Sequence, residues 1–86
     1  MMTMNGILET WAKSGVQLRV TGEESGKSEL VHVEGGNGDY CLTNGLDAEE
    51  YPDEAWILPI IKLVWCDDEI FISCHGDFFE LDEILP

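Results

Sequence analysis

Basic side chains are nearly missing from this chain. Four Lys and Arg stand against eighteen Asp and Glu, a formal charge of −14 on 86 residues. A surface that grips phosphate is built from Lys and Arg, so direct nucleic-acid binding is excluded. No apolar run reaches the ~18 residues of a membrane-spanning helix, which excludes a membrane partner of that kind. Met1 to Asn5 lack the basic start and apolar stretch of a secretory leader. Cysteines number three, which fits no disulfide framework and points to a reduced, cytoplasmic setting. Cys41, Cys66, Cys74, His32 and His75 show no C-x-x-C or H-x-x-x-H spacing, so no zinc site is assigned. The acidic runs Asp47–Glu50 and Asp67–Glu69 lack the glycine and distal glutamate of an EF-hand loop. No Ser, Cys or Lys lies in a nucleophile motif, and nothing singles out one carboxylate pair for acid–base work. Catalytic residues, metal ligands and cofactors are therefore all read as none, and the expectation is a protein that is not an enzyme.

One tract imitates a nucleotide site. GEESGKS, Gly22 to Ser28, resembles the phosphate-cradling G-x-x-x-x-G-K-[ST] loop, but three residues rather than four separate its glycines. That loop lies between a strand and a helix, whereas Ser28–Glu34 reads as a strand. Glu23 and Glu24 would also stand where phosphate charge must go. The tract is read as a flexible hairpin loop.

What remains is a globular composition: hydrophobic residues make up 44% of the chain, with three Trp, three Phe and two Tyr. A disordered acidic tail has far fewer aromatics, so one small domain spanning residues 1–86 is expected. Met4, Ile7, Leu8 and Trp11 recur at helical spacing between Thr3, a candidate N-cap, and Gly15, a candidate stop. Val16–Thr21, Ser28–Glu34 and Asp39–Thr43 read as strands, joined by glycine-rich turns into an antiparallel meander. Pro52 suits the first turn of a helix running to about Leu58. Ile60–Cys66 and Glu69–His75 pair across Asp67-Asp68, placing Trp65 opposite Ile70, Leu63 opposite Ile72 and Ile61 opposite Cys74. Asp77–Leu85 reads as a last short helix with Phe78, Leu81 and Leu85 inward. The predicted fold class is α+β, a five-stranded antiparallel sheet with two or three short helices.

Charge is unevenly divided. Residues 1–43 hold six acids and three bases, residues 44–86 twelve acids and only Lys62. Self-repulsion at this level costs stability, and its asymmetry suggests a surface directed at a partner. Three runs carry it: Asp47, Glu49, Glu50, Asp53 and Glu54; Asp67, Asp68 and Glu69; Asp77, Glu80, Asp82 and Glu83. Alternate strand carboxylates lie roughly 6–7 Å apart, near the spacing of phosphates along one nucleic-acid strand. An acidic domain of this kind can occupy a basic groove and displace its counterions as the nucleic acid does. Tyr51 and Phe71, close in sequence to the acids, are candidate aromatic anchors. Together these residues form the predicted partner-binding set.

In size, charge and lack of motif the whole chain resembles small phage-encoded anti-CRISPR proteins and related DNA mimics. No aligned signature carries that resemblance. It implies a stoichiometric protein partner, a CRISPR effector complex or a nuclease, whose DNA- or guide-RNA-binding surface is basic. Two alternatives stay open: an immunity protein neutralising a basic nuclease toxin, and a generic or halophilic acidic domain. The oligomeric state is read as monomer or homodimer, with Phe71 and Val64 available for self-association.

Overall fold

The computed structural model describes residues 3–86; Met1 and Met2, part of the leader argument, lie outside them. Helix α1 spans Met4–Ser14. Thr3 caps it, its Oγ1 accepting from Gly6 N at 3.1 Å, and Gly15 ends it in the left-handed region at φ 67°. These are the caps the sequence spelled out, because a hydroxyl satisfies an orphan N–H and glycine tolerates positive φ. Strands β1 (Gln17–Gly22), β2 (Ser28–Gly36), β3 (Asp39–Thr43), β4 (Ile57–Cys66), β5 (Glu69–Cys74) and β6 (Asp77–Leu85) follow. Each is antiparallel to its neighbour in sequence, and β6 returns to pair with β1, so the sheet closes into a barrel.

Alternation fills that barrel. Leu18 and Val20, Val31 and Val33, Tyr40 and Leu42, Leu63, Ile72, Cys74 and Phe79 turn inward, and Leu8 and Trp11 of α1 join the same core. Fully buried residues such as Leu18, Leu42 and Ile72 each contribute about 1.5–3 kcal/mol. The β3–β4 ladder reaches only Pro59 on β4. Farther along, Leu63 N–H donates instead to Met4 Sδ at 3.3 Å, so α1 supplies a partner that β3 is too short to give.

Three expectations about elements change. The sheet has six strands and the described residues one α-helix, which keeps the broad α+β class but not the count. Asp77–Leu85 is strand β6, not a helix. Its Phe78, Leu81, Leu85 spacing fits a helical face, but the alternation of Phe79 and Leu81 fits a strand equally well. Tertiary context decides it, since both β1 and β5 have an edge without β6, and β6 pairs with both. The helix expected from Pro52 does not form either. Asn44 clasps this segment: its Nδ2 donates to Glu54 O at 2.8 Å and its Oδ1 accepts from Trp56 N at 3.1 Å. Thr43 Oγ1 donates to Trp56 O at 2.9 Å, and the chain turns straight into β4 at Ile57.

The β4–β5 hairpin pairs Trp65 with Ile70 and Leu63 with Ile72, as the sequence predicted, but Ile60 rather than Ile61 lies opposite Cys74. Ile61 is the extra residue of a β-bulge. The bulge switches parity, so Leu58 and Ile60 pack on the core while Ile57 and Ile61 are 56% and 54% exposed. Trp65, expected inside, occupies the last inward row at the open end of β4 and is 51% exposed. A second irregularity, between Arg19 and Val20, places Asp82 as the surplus residue of β6, where it accepts from Thr21 Oγ1 at 2.5 Å.

Connections in a meander alternate between the two ends of the barrel. Residues 23–27, 44–56 and 75–76 therefore share one end, the loop end. Residues 37–38 and 67–68 share the other, with α1.

Candidate partner-binding surface

Carboxylates dominate the outside. Every described Asp and Glu is exposed except Glu29 and Glu80, which are half-buried, and none is in the core. Among the described residues Lys13 pairs with Glu9 at 2.7 Å and Arg19 with Glu83 at 3.6 Å, while His32 meets Glu34 at 3.1 Å. Most of the negative charge is thus neither buried nor neutralised.

Topology sorts the predicted residues into places that sequence distance did not show. Asp47, Glu49, Glu50, Tyr51, Asp53 and Glu54 lie on the β3–β4 loop, and Asp77 opens β6 at the same end. Asp67, Asp68 and Glu69 lie at the opposite tip. Glu80, Asp82 and Glu83 run along β6 between the two. The three runs therefore do not form one compact face, as grouping them had assumed, but two ends joined by a wall. Glu23 and Glu24, set aside with the glycine tract, belong to the loop end, and pairwise counting of the hairpins would have found them there.

Like charges meet at Glu80. Glu69 beside it raises the Glu80 carboxyl above its ordinary range, with further contributions from partial burial, a hydrogen bond to Glu69, and the charges of Asp82 and Glu23. Since Glu23 is a loop-end residue and Glu69 belongs to the far tip, like charge crowds Glu80 from both ends of β6. Phe71 faces outward opposite Glu80 and stacks on Phe78, ring centroids 5.3 Å apart and planes at 14°. It is half-buried, so the pair forms an aromatic ridge beside the acidic wall.

The β3–β4 loop is held rather than loose. Besides the Asn44 clasp, Asp47 Oδ1 accepts from Glu49 N at 2.8 Å and Asp47 O from Tyr51 N at 2.8 Å. A loop ordered before docking loses less conformational entropy on binding. Beneath it Trp56 stacks on Phe79, centroids 5.7 Å apart and planes at 6°.

The glycine tract is a hairpin loop. Gly26 N donates to Gly22 O at 2.9 Å, Gly22 N to Lys27 O at 3.0 Å and Glu23 N to Phe78 O at 2.9 Å. Backbone donors that a phosphate loop turns on its ligand are satisfied within the protein here. The cysteines are dispersed, Cys41 half-buried, Cys66 exposed and Cys74 buried. Burial, then the charge of Asp77 and the neighbouring Cys41, pushes the Cys74 thiol up to about 12, which suppresses its thiolate at neutral pH.

No family model, curated protein or solved structure matches the chain. Its surface is the basis for a functional reading.

Proposed function

We propose that this protein is a non-enzymatic inhibitor which docks its acidic loop end and β6 wall onto a basic nucleic-acid-binding surface. The reading assigns it to the anti-CRISPR or DNA-mimic type, acting in the cytoplasm of a bacterial host cell on a CRISPR effector complex or a nuclease. The observation that carries it is the exposed carboxylate population, of which Lys and Arg pair only Glu9 and Glu83 among the described residues. Charge of one sign over a surface of this size steers encounter with a cationic partner. Docking releases the counterions that partner holds, which is the driving force nucleic acid itself uses. The ordered β3–β4 loop and the Phe71–Phe78 ridge supply fixed contact area to go with the charge.

The test is competition. CRISPR effector complexes and nonspecific nucleases are loaded with labelled duplex DNA and titrated with the protein at about 50 and about 200 mM salt. Stoichiometric displacement from at least one of them, weakening about tenfold or more at the higher salt, supports the reading. Displacement confined to a nuclease toxin identifies an immunity protein. Binding that is indifferent to salt contradicts a charge-led mechanism.

A further inference from the structure

We infer that the loop end carries a built subsite for one arginine side chain of the partner protein. A cavity of about 260 Å³ opens between the β1–β2 loop and the start of β6. That is below the ~300–1,000 Å³ typical of small-molecule pockets and suits a single side chain. Trp56 and Phe79, stacked on each other with planes 6° apart, form its aromatic wall. The wall is fixed: Phe79 is buried, and the Trp56 backbone is tied on both sides by Asn44 Oδ1 and Thr43 Oγ1.

Glu24, Glu29 and Asp77 line the same space, and none of them is engaged by a Lys or Arg among the described ion pairs. An aromatic wall with carboxylates beside it selects for a planar cation. Guanidinium stacks on rings and offers a fork of N–H donors to carboxylates, while an ammonium is compact and more strongly hydrated. Anions are repelled, and a purely apolar group would strip water from the carboxylates without replacing it. The feature is separate from the acidic wall, since it requires a concave shape and two rings. It rests on the inhibitor reading only for the owner of the arginine.

The probe is N-acetyl-arginine methylamide, followed through the indole N–H resonance of Trp56 with those of Trp11 and Trp65 as internal references. A saturable shift at Trp56 is expected, larger than with the lysine analogue and absent with the uncharged citrulline analogue. Glu24→Gln and Asp77→Asn should each weaken it about two- to five-fold, the effect of an exposed charge near an aromatic site. Equal shifts from citrulline, or an equal response at Trp65, would overturn the subsite. Failure here is separable from failure of the inhibitor reading. Salt-dependent displacement of DNA that is unchanged by Glu24→Gln and Asp77→Asn retains the inhibitor and removes the subsite. Arginine binding at Trp56 without DNA displacement does the reverse.

Discussion

Replacing Ile61 with Ala tests the bulge on which the parity of β4 depends. Simple alternation back from Leu63 places Ile61 in the core; the observed register places it outside at 54% exposure, with Ile72 at 0% one strand away. Truncating a fully buried Ile costs about 2–5 kcal/mol, because transfer energy is lost and a cavity remains. Ile72→Ala should therefore lower the thermal midpoint by about 10–30 °C, taking roughly 4–8 °C per kcal/mol for a domain of this size. Ile61→Ala removes methyl groups already half in water and opens no cavity, so its cost stays near the ~0.5 kcal/mol scale of surface changes. Urea denaturation of both variants, followed by circular dichroism, gives the comparison in one experiment. If Ile72→Ala proves too unstable to fold, Ile72→Val, costing about 0.5–1.5 kcal/mol, takes its place. An Ile61→Ala midpoint as low as that of the core variant would put Ile61 inside and remove the bulge.

Glu80→Gln should stabilise the fold at neutral pH. The folded-state pKa of Glu80 is raised, so its favourable contribution exists below the unfolded value, near 4.5, and is lost as pH rises through the folded one. The variant's advantage should vanish in melts below that pH and shrink in high salt; a neutral-pH destabilisation would show that Glu69 does not crowd it. Gly35→Ala should be severe in a thermal melt, because Gly35 has φ 133° and a Cβ there would strike Asp39 O; a wild-type midpoint would refute that backbone. Iodoacetamide at neutral pH should label exposed Cys66 and spare Cys74 while the chain is folded. Labelling of both at equal rates would contradict the burial of Cys74.

Much of the architecture was legible because local chemistry and tertiary demand agree. Thr3 and Gly15 delimit α1, and Asn37-Gly38, both at positive φ, makes the β2–β3 turn. The Asp67-Asp68 loop fixes the register of the β4–β5 hairpin as far as Leu63. Legibility ended where nonlocal partners decide. The sequence of β6 satisfies both a helical and a strand period, and only the free edges of β1 and β5 choose between them. The bulge at Ile61 leaves no local mark, since Ile60 and Ile61 are identical side chains and either can face the core. Pro52 with Asp53 and Glu54 is a sound helix start, yet the side chain of Asn44, distant in sequence, claims the same backbone. The acidic residues were legible as a population but not as a map. Pooling the three runs into one set left out Glu24, which lines one cavity with Asp77, and put Asp47 with Asp67, which the meander sends to opposite ends.

If the loop end and the β6 wall, rather than charge in general, face the partner, reversing charge at the loop end must cost more than reversing it at the far tip. Paired charge reversals test it directly, with Asp47, Glu49 and Glu50 changed to Lys in one variant and Asp67 and Asp68 in another. Both are assayed for displacement of DNA from the same basic protein. A loss of about tenfold or more is expected for the loop-end variant and a much smaller change for the hairpin-tip variant, with both still folded. Equal losses, or undiminished displacement by the loop-end variant, would contradict it.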